Sequence, residues 1–272
     1  MPEIHPTAIL DGDITLDESV TIGPHCVLSG TISIGADTKL IGSSYLTGTL
    51  SIGTGNTIYP TAHIGFAAQD ICFPHNQFDP GISIGNNNIF REGTTIHRAT
   101  QDIATTIGND NVFMTNSHVG HDCQIGNNNT IVSGVLLAGH VHVRNNVTIG
   151  GGTSIHQFVT IGSGAMLCGA SFATYDVPPF FMLTGGNIVG SVNIIGMRRS
   201  GMDIAEIDRR KEIYKLLYRG GGTINSYLGK LRSDGDEIAI EYADFIDSSR
   251  RGIIAPYHTK RSARRGLTVT NE

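Results

Sequence analysis

No tryptophan occurs in this 272-residue chain, and its four cysteines (Cys26, Cys72, Cys123, Cys168) are scattered without a C-x-x-C pair. That spacing argues against a disulfide framework and a cysteine zinc site, and suits a reducing, cytoplasmic compartment. No apolar run approaches the roughly 18 residues of a membrane span. The opening MPEIHPTAIL has no basic stretch ahead of an apolar one, so no signal peptide is expected. There is no G-x-S-x-G, and no cysteine has a catalytic surround. Basic residues are scarce over most of the chain. Residues 1–197 hold 4 Lys/Arg against 13 Asp/Glu, a net of −9, whereas residues 198–272 hold 15 against 11, a net of +4. The split points to two modules, the second suited to an acidic partner, with Arg209 and Arg210 as candidate docking charges. A merely solvated helical surface is the plainer reading of the same charges.

Glycine is abundant instead, at 35 residues, without the Gly-X-Y period of collagen. Every sixth residue from Ile4 through Leu10, Leu16, Ile22 and onward to Ile64 is aliphatic. A second series from Ile107 through Phe113, Val119 and onward to Leu167 is apolar throughout. A period of six fits neither an amphipathic helix nor an alternating strand, and is the mark of a hexapeptide parallel β-helix. Three hexads make one triangular coil, and stacked coils bury the apolar residue. The period slips twice, at 66–81 and at 98–106, and such breaks are loops, often on the binding face. The expected organisation is a β-helix over 1–190, a helical C-terminal domain over 191–256 and a basic, polar tail over 257–272 with the composition of a disordered segment. In the second module Asp203 and Glu206 read as a capping box. Ile204, Ile207, Tyr214 and Leu217 or Tyr218 space as one apolar face, and the glycines at 220–222 end that helix. At least one further helix is expected within 223–248.

The segment NSHVGHDCQIGNNN, residues 116–129, places titratable chemistry on this scaffold. Residues 18 apart stack at about 4.8 Å on successive coils. His121 and His140 are 19 apart, so they lie on neighbouring coils, offset by one position. His118 and His142 precede buried positions and His156 follows one, so these rings project outward as a surface cluster. Asp122 can orient the His121 ring and support its cationic form. An imidazole titrating near neutrality suits a general base. The backbone N–H of Gly139 in AGH is a candidate oxyanion donor. That set suits acyl transfer to a hydroxyl by direct attack, without an acyl-enzyme.

The motifs TIHRAT (95–100), NSHVGHDCQIG (116–126), LAGHVHV (137–143), IHQF (155–158), DVPPF (176–180) and SVNIIGMRRSG (191–201), in that order, resemble the UDP-N-acetylglucosamine O-acyltransferases. These are hexapeptide-repeat enzymes that open lipid A synthesis. The resemblance runs from about His5 into the C-terminal helices. It implies a homotrimer of left-handed β-helices with sites between subunits, and transfer of a 3-hydroxyacyl chain from acyl carrier protein to the sugar 3-hydroxyl, without a cofactor or metal. By motif it implies that His121 is the general base, Asp122 its partner and Gly139 the oxyanion donor. His97, His118, His140 and His156 would line the cleft. Asp70, with Gln69 beside it, would hold the glucosamine. Gln157, Asn193 and Arg199 would contact the nucleotide, and Gly169 would limit acyl length.

Three departures stand against the family pattern. Cys72 replaces a usual lysine, the first loop is about two residues longer, and Ile195 and Ser200 stand where some members carry Glu and Arg. They leave the acyl transfer chemistry in place and keep a 3-amino sugar acceptor open. A γ-carbonic-anhydrase-like zinc β-helix pairs its histidines five apart, whereas His118 and His121 are three apart. Histidine with carboxylate and no clear third ligand is a weak metal signal. A non-catalytic scaffold is the remaining alternative.

Overall fold

A computed structural model of the chain describes residues 1–74 and 80–254. Part of the 66–81 loop and the 257–272 tail fall outside these residues. The chain winds into a parallel β-solenoid of three faces. The first face is an eleven-stranded sheet, of which nine two-residue strands run from Glu3–Ile4 to Met166–Leu167. It is closed by the antiparallel hairpin Phe181–Gly185 and Ile188–Val192. The other two faces form one fourteen-stranded sheet, because the strands Ile9–Leu16, Val27–Ile34 and Tyr45–Ile52 run continuously round the corner between them. Glycine permits that bend: Gly30 has φ +127°, and a Cβ there would stand 2.5 Å from the Gly48 carbonyl oxygen.

Beyond the third coil that corner opens. The second face continues as His63–Phe66, Thr95–His97, His118–Val119, Leu136–Leu137, Ser154–Ile155 and Phe172–Ala173. The third continues as Ile82–Ile84, Thr105–Ile107, Gln124–Ile125, His142–Val143 and Thr160–Ile161. The register steps by 18 residues, as His118↔Leu136↔Ser154↔Phe172. Both expected loops leave the solenoid at this one corner, between Phe66 and Ile82 and between His97 and Thr105.

The series from Ile107 to Leu167 is buried throughout. The earlier series is buried from Ile22 on, but Ile4 and Leu10 are about 40 % exposed, since no coil stacks beneath the first. A second inward position, two residues before each aliphatic one, takes small side chains such as Cys26, Ser44, Ala62, Ser117 and Cys123. The turns from the third face back to the first are held by asparagine. Asn86, Asn109, Asn127 and Asn145 each accept a backbone N–H from the coil before with Oδ1, at 2.7–2.8 Å. Asn56, Asn88, Asn111 and Asn129 do the same at the inner side of that turn, where each accepts from the coil after. This is why Gly-Asn-Asn-Asn recurs in the sequence: side-chain amides satisfy the buried N–H groups that a tight turn orphans.

Four helices follow: α1 (Ile194–Arg199), α2 (Ile204–Arg219), α3 (Ile224–Asp234) and α4 (Glu237–Asp247). The capping box of Asp203 and Glu206 starts α2 and Gly220 ends it. Its apolar face differs from the expected one. Ile204 is exposed, and the helix turns Ile207, Ile213, Leu217 and Tyr218 inward together with Arg210. The Phe181 ring packs against Tyr214, Tyr218 and Tyr242. Tyr242 donates to the Pro179 carbonyl at 2.7 Å, which ties α4 to the end of the solenoid. The expected docking role of Arg209 and Arg210 is not supported. Arg209 is held by Asp234 at 2.8 Å and Asp236 at 2.7 Å. Arg210 is buried on the Phe180 ring, with Glu241 at 2.8 Å. Both charges are spent inside the module, so reversing them would disturb folding before any docking.

Candidate active site

His121 stands in the turn Gly120–Cys123, at the corner where both loops emerge. Its Nδ1–H donates to Asp122 Oδ2 at 2.6 Å, which leaves the Nε2 lone pair free to accept a proton. Asp122 has φ +60° and is buried. Its Oδ1 accepts from the backbone N–H of Thr100 (2.9 Å) and Gln101 (3.0 Å), and its Oδ2 also accepts from the Thr100 hydroxyl (2.7 Å). Burial would raise the Asp122 pKa, but the hydrogen bonds from His121, Thr100 and Gln101 outweigh it and hold the carboxyl down at about 2. The carboxylate is therefore ionised in any reaction near neutrality.

The ring surfaces are tightly used. His140 meets His121 edge-on at 5.1 Å and stacks on Phe158 at 4.4 Å, with an interplanar angle of 10°. A Cβ built on Gly139 would stand 2.6 Å from Cε1 and Nε2 of His121, so only glycine fits beneath the ring. Asn145 accepts the Asn127 N–H at one corner of the coil, but among the described residues the Gly139 N–H has no partner. An unpaired donor beside a proton acceptor is the minimum equipment of an acyl transfer site.

His97 Nδ1–H donates to the Ala67 carbonyl at 2.7 Å, across from the first loop. His97 lies 5.3 Å from His118, whose Nδ1 is bonded to the Thr95 hydroxyl at 2.8 Å. Burial, then repulsion from His97 and His121, lowers His118 to about 4. Burial likewise lowers His97 and His140. The expected surface cluster is thus a half-buried cleft: the His121 side chain is 12 % exposed and His97 is buried outright. His156 and Gln157 are exposed on the next coil of the same corner. Asp70 lies close enough to His140 to favour its protonation. Gln69 is exposed beside it.

Cys123 is buried and its thiol is pushed up to about 12, chiefly by burial, so it is no nucleophile. His121, Asp122 and His140 offer three ligand atoms within 4.8 Å of one another. The four donors already on Asp122 suit a carboxylate that orients a ring.

Relatives carry the same architecture. The family model described as UDP N-acetylglucosamine O-acyltransferase, domain 2, matches residues 176–254, and one for six bacterial transferase hexapeptide repeats matches residues 104–139. An acyl-(acyl-carrier-protein)–UDP-N-acetylglucosamine O-acyltransferase of Paraburkholderia phymatum is 46 % identical over 263 residues, 93 % of this chain and 100 % of the relative. This chain belongs to the UDP-N-acetylglucosamine O-acyltransferase family. The solved structure of the Francisella novicida UDP-N-acetylglucosamine acyltransferase superimposes with a TM-score of 0.90 at 32 % identity, covering 99 % of each chain. The Acinetobacter baumannii structure gives 0.86 at 38 % identity, covering 92 % of this chain and 99 % of that one.

Not all residues that the family motifs single out meet in one chain. Asn193 and Arg199 line a hollow of about 500 Å³ with Asn128, Asn146 and Met182, on the asparagine corner and the first face. Asn193 is also the N-cap of α1, accepting from Gly196 N–H at 2.9 Å, and donates to the Gly164 carbonyl at 2.9 Å. Gly169 lies at the remaining corner, between the first and second faces.

Motif and period assign no role to Thr100, Gln101, Ala67 or Phe158. For Phe158 the signal was present, since it follows His140 by 18 residues and must stack on it. The loop donors to Asp122 left none.

These shifts fix an acid response. The Asp122 pKa is depressed, so its stabilisation is complete above about pH 4 and is lost as pH falls towards about 2. The neutral ring of His118 is favoured in the fold, so its contribution is complete above about pH 6.5 and is lost as pH falls to about 4. Denaturant unfolding is expected to show stability falling in two stages below pH 6.5. A His118→Gln variant should flatten the upper stage, and an unchanged upper stage would refute the His118 assignment.

Proposed function

We infer that this acyltransferase moves a 3-hydroxyacyl chain from acyl carrier protein to the 3-hydroxyl of UDP-N-acetylglucosamine; its relatives' names state O-acyl transfer from acyl carrier protein to UDP-N-acetylglucosamine for them. The observation that carries the reading is the His121–Asp122 pair, with Gly139, whose N–H has no partner among the described residues, beneath the same ring. In the proposed step Nε2 of His121 takes the proton of the acceptor hydroxyl as its oxygen attacks the thioester carbonyl. Gly139 N–H holds the oxyanion. Collapse expels the thiolate, which takes the proton back from the imidazolium that Asp122 supports. His97, His118, His140 and His156 line the cleft in this reading, with Gln69 and Asp70 on the glucosamine.

Gln157 lies at the His121 corner, whereas Asn193 and Arg199 lie at another. One chain thus carries two separated half-sites, which supports a homotrimer with each site completed by a second copy. Mixing His121→Ala and Arg199→Ala subunits should then restore activity that neither has alone. All four cysteines are free, which fits the cytoplasm, and no described helix is long and apolar enough to cross a membrane. The primary test is turnover of UDP-N-acetylglucosamine with a series of 3-hydroxyacyl carrier proteins. The product should be an ester cleaved by hydroxylamine. A resistant amide product, obtained only with a 3-amino sugar, would move the acceptor to that analogue.

Gly169 is proposed to end the acyl groove. It is exposed, has an ordinary φ, and a Cβ there would meet only Gly151 backbone at 3.2 Å, so larger residues can be accommodated by the fold. Leu136 and Phe172, both about half exposed, stand on the face between this corner and His121. Each buried methylene is worth about 0.8 kcal/mol. Gly169→Met is expected to lose long donors and keep short ones. Coincident donor-length profiles would remove Gly169 from the groove.

A further inference from the structure

Only four Lys/Arg lie in residues 1–197: Lys39, Arg91, Arg98 and Arg144. Arg144 directly follows the third-face strand His142–Val143. A hollow of about 380 Å³ opens beside the catalytic corner, with His140 and Phe158 on one side and Arg144 and Arg250 on the other. His142 and Thr160, register partners on the third face, also line it, and Ser248 adds a hydroxyl. Burial, then the charges of Arg144 and Arg250, disfavours protonation of His142, which leaves the two guanidinium groups as the cations of the hollow.

Among the described residues neither Arg144 nor Arg250 has an ion-pair partner. The acids nearest along the groove, Glu241 and Asp244, line a neighbouring hollow with Arg144. Both are engaged elsewhere, Glu241 with Arg210 at 2.8 Å and Asp244 with Arg232 at 3.4 Å. Two unpaired guanidinium groups lining one hollow with the Thr160 hydroxyl form a donor set matched to phosphate oxygens, while the Ser248 hydroxyl already donates to the Phe245 carbonyl at 3.0 Å.

We propose that this hollow is a phosphate subsite, in which Arg144 and Arg250, with Thr160, hold a phosphate group of a substrate whose reacting end lies at His121. The proposal rests on the acyl transfer reading. Both substrates carry phosphate: the donor in the phosphodiester of its pantetheine arm, the acceptor in its diphosphate. The donor is favoured on position. Arg199 offers the nucleotide a cation at the asparagine corner, while the hollow is continuous with His140 and opens towards the C-terminal helices. Both arginines are exposed, so replacing them leaves the core untouched.

The test compares wild type with an Arg144→Gln, Arg250→Gln double variant, using 3-hydroxyacyl-phosphopantetheine and 3-hydroxyacyl-pantetheine as donors. The KM for the phosphorylated donor is expected to rise at least tenfold, with the pantetheine donor and the saturated kcat within twofold. Arg→Lys at both positions should recover part of the loss. A tenfold rise in the KM for UDP-N-acetylglucosamine alone would support the subsite and assign it to the diphosphate. Equal effects on both donors, or no KM moved by more than twofold, would overturn it. Calorimetric binding of phosphopantetheine and of UDP-N-acetylglucosamine to both proteins separates this from the catalytic reading. If wild type turns over no donor, the acyl transfer reading fails. The subsite still stands if the double variant binds one of these ligands at least tenfold more weakly, and falls if both bind as to wild type.

Discussion

His121→Ala is expected to lower kcat by about 10²–10⁴-fold, the range that a positioned general base contributes. The argument is geometric. Asp122 fixes the proton on Nδ1, so Nε2 is the acceptor, and Gly139, whose N–H has no partner among the described residues, lies beneath the same edge of the ring. Some loss of stability accompanies the change, because the ring is packed between His140, Gly139 and Asp122, and Asp122 loses one of its four donors. A hydrogen bond to a charged group is worth about 1.5–3 kcal/mol. Rate and unfolding must therefore be measured on the same preparation. A folded variant that keeps more than about a tenth of the wild-type kcat excludes His121 as the base.

Asp122→Asn should also lower turnover, less severely and by a different route. The carboxylate accepts four hydrogen bonds, two of them on Oδ1 from backbone and two on Oδ2 from His121 and Thr100. An amide has one acceptor oxygen, so either the His121 ring or the second loop loses its anchor. The imidazolium formed during the reaction also loses its counter-charge. Losing one charge-assisted bond of about 1.5–3 kcal/mol in the transition state corresponds to a fall in kcat of about 10–150-fold. The acid transition between about pH 4 and 2 should vanish with it. A variant with wild-type kcat would mean that His121 is oriented by something else.

The six-residue period made the solenoid legible, because burial there depends on a single repeated position and the chain states it at nearly every coil. The histidine corner was legible for the same reason: a residue beside a buried position must face outward. The depth of that corner was not legible. His97 is buried by the loop that supplies Ala67, and Asp122 by the loop that supplies Thr100, and loop conformation obeys no period. The C-terminal charges misled because a count of arginines does not say which are already paired. Arg209 and Arg210 face acids 25 to 31 residues away in sequence, brought near by the packing of α2 against α3 and α4. Ile204 belongs to the helical period but lies on the first turn, before the helix reaches its partners.

Among the described residues the solenoid departs from its winding at a single corner, and that has a consequence for how such a protein can change. Elsewhere a single inserted residue turns every later side chain out of register, and the asparagine ladder loses a rung. At the corner between the second and third faces, added length bulges into solvent, and doubling a loop costs only about 0.6 kcal/mol of closure entropy. Insertions and deletions are therefore tolerated at the rim of the reaction cleft and rejected nearly everywhere else. Lineages of this architecture can vary what they accept by altering the length of two segments, while the machinery beneath stays in phase.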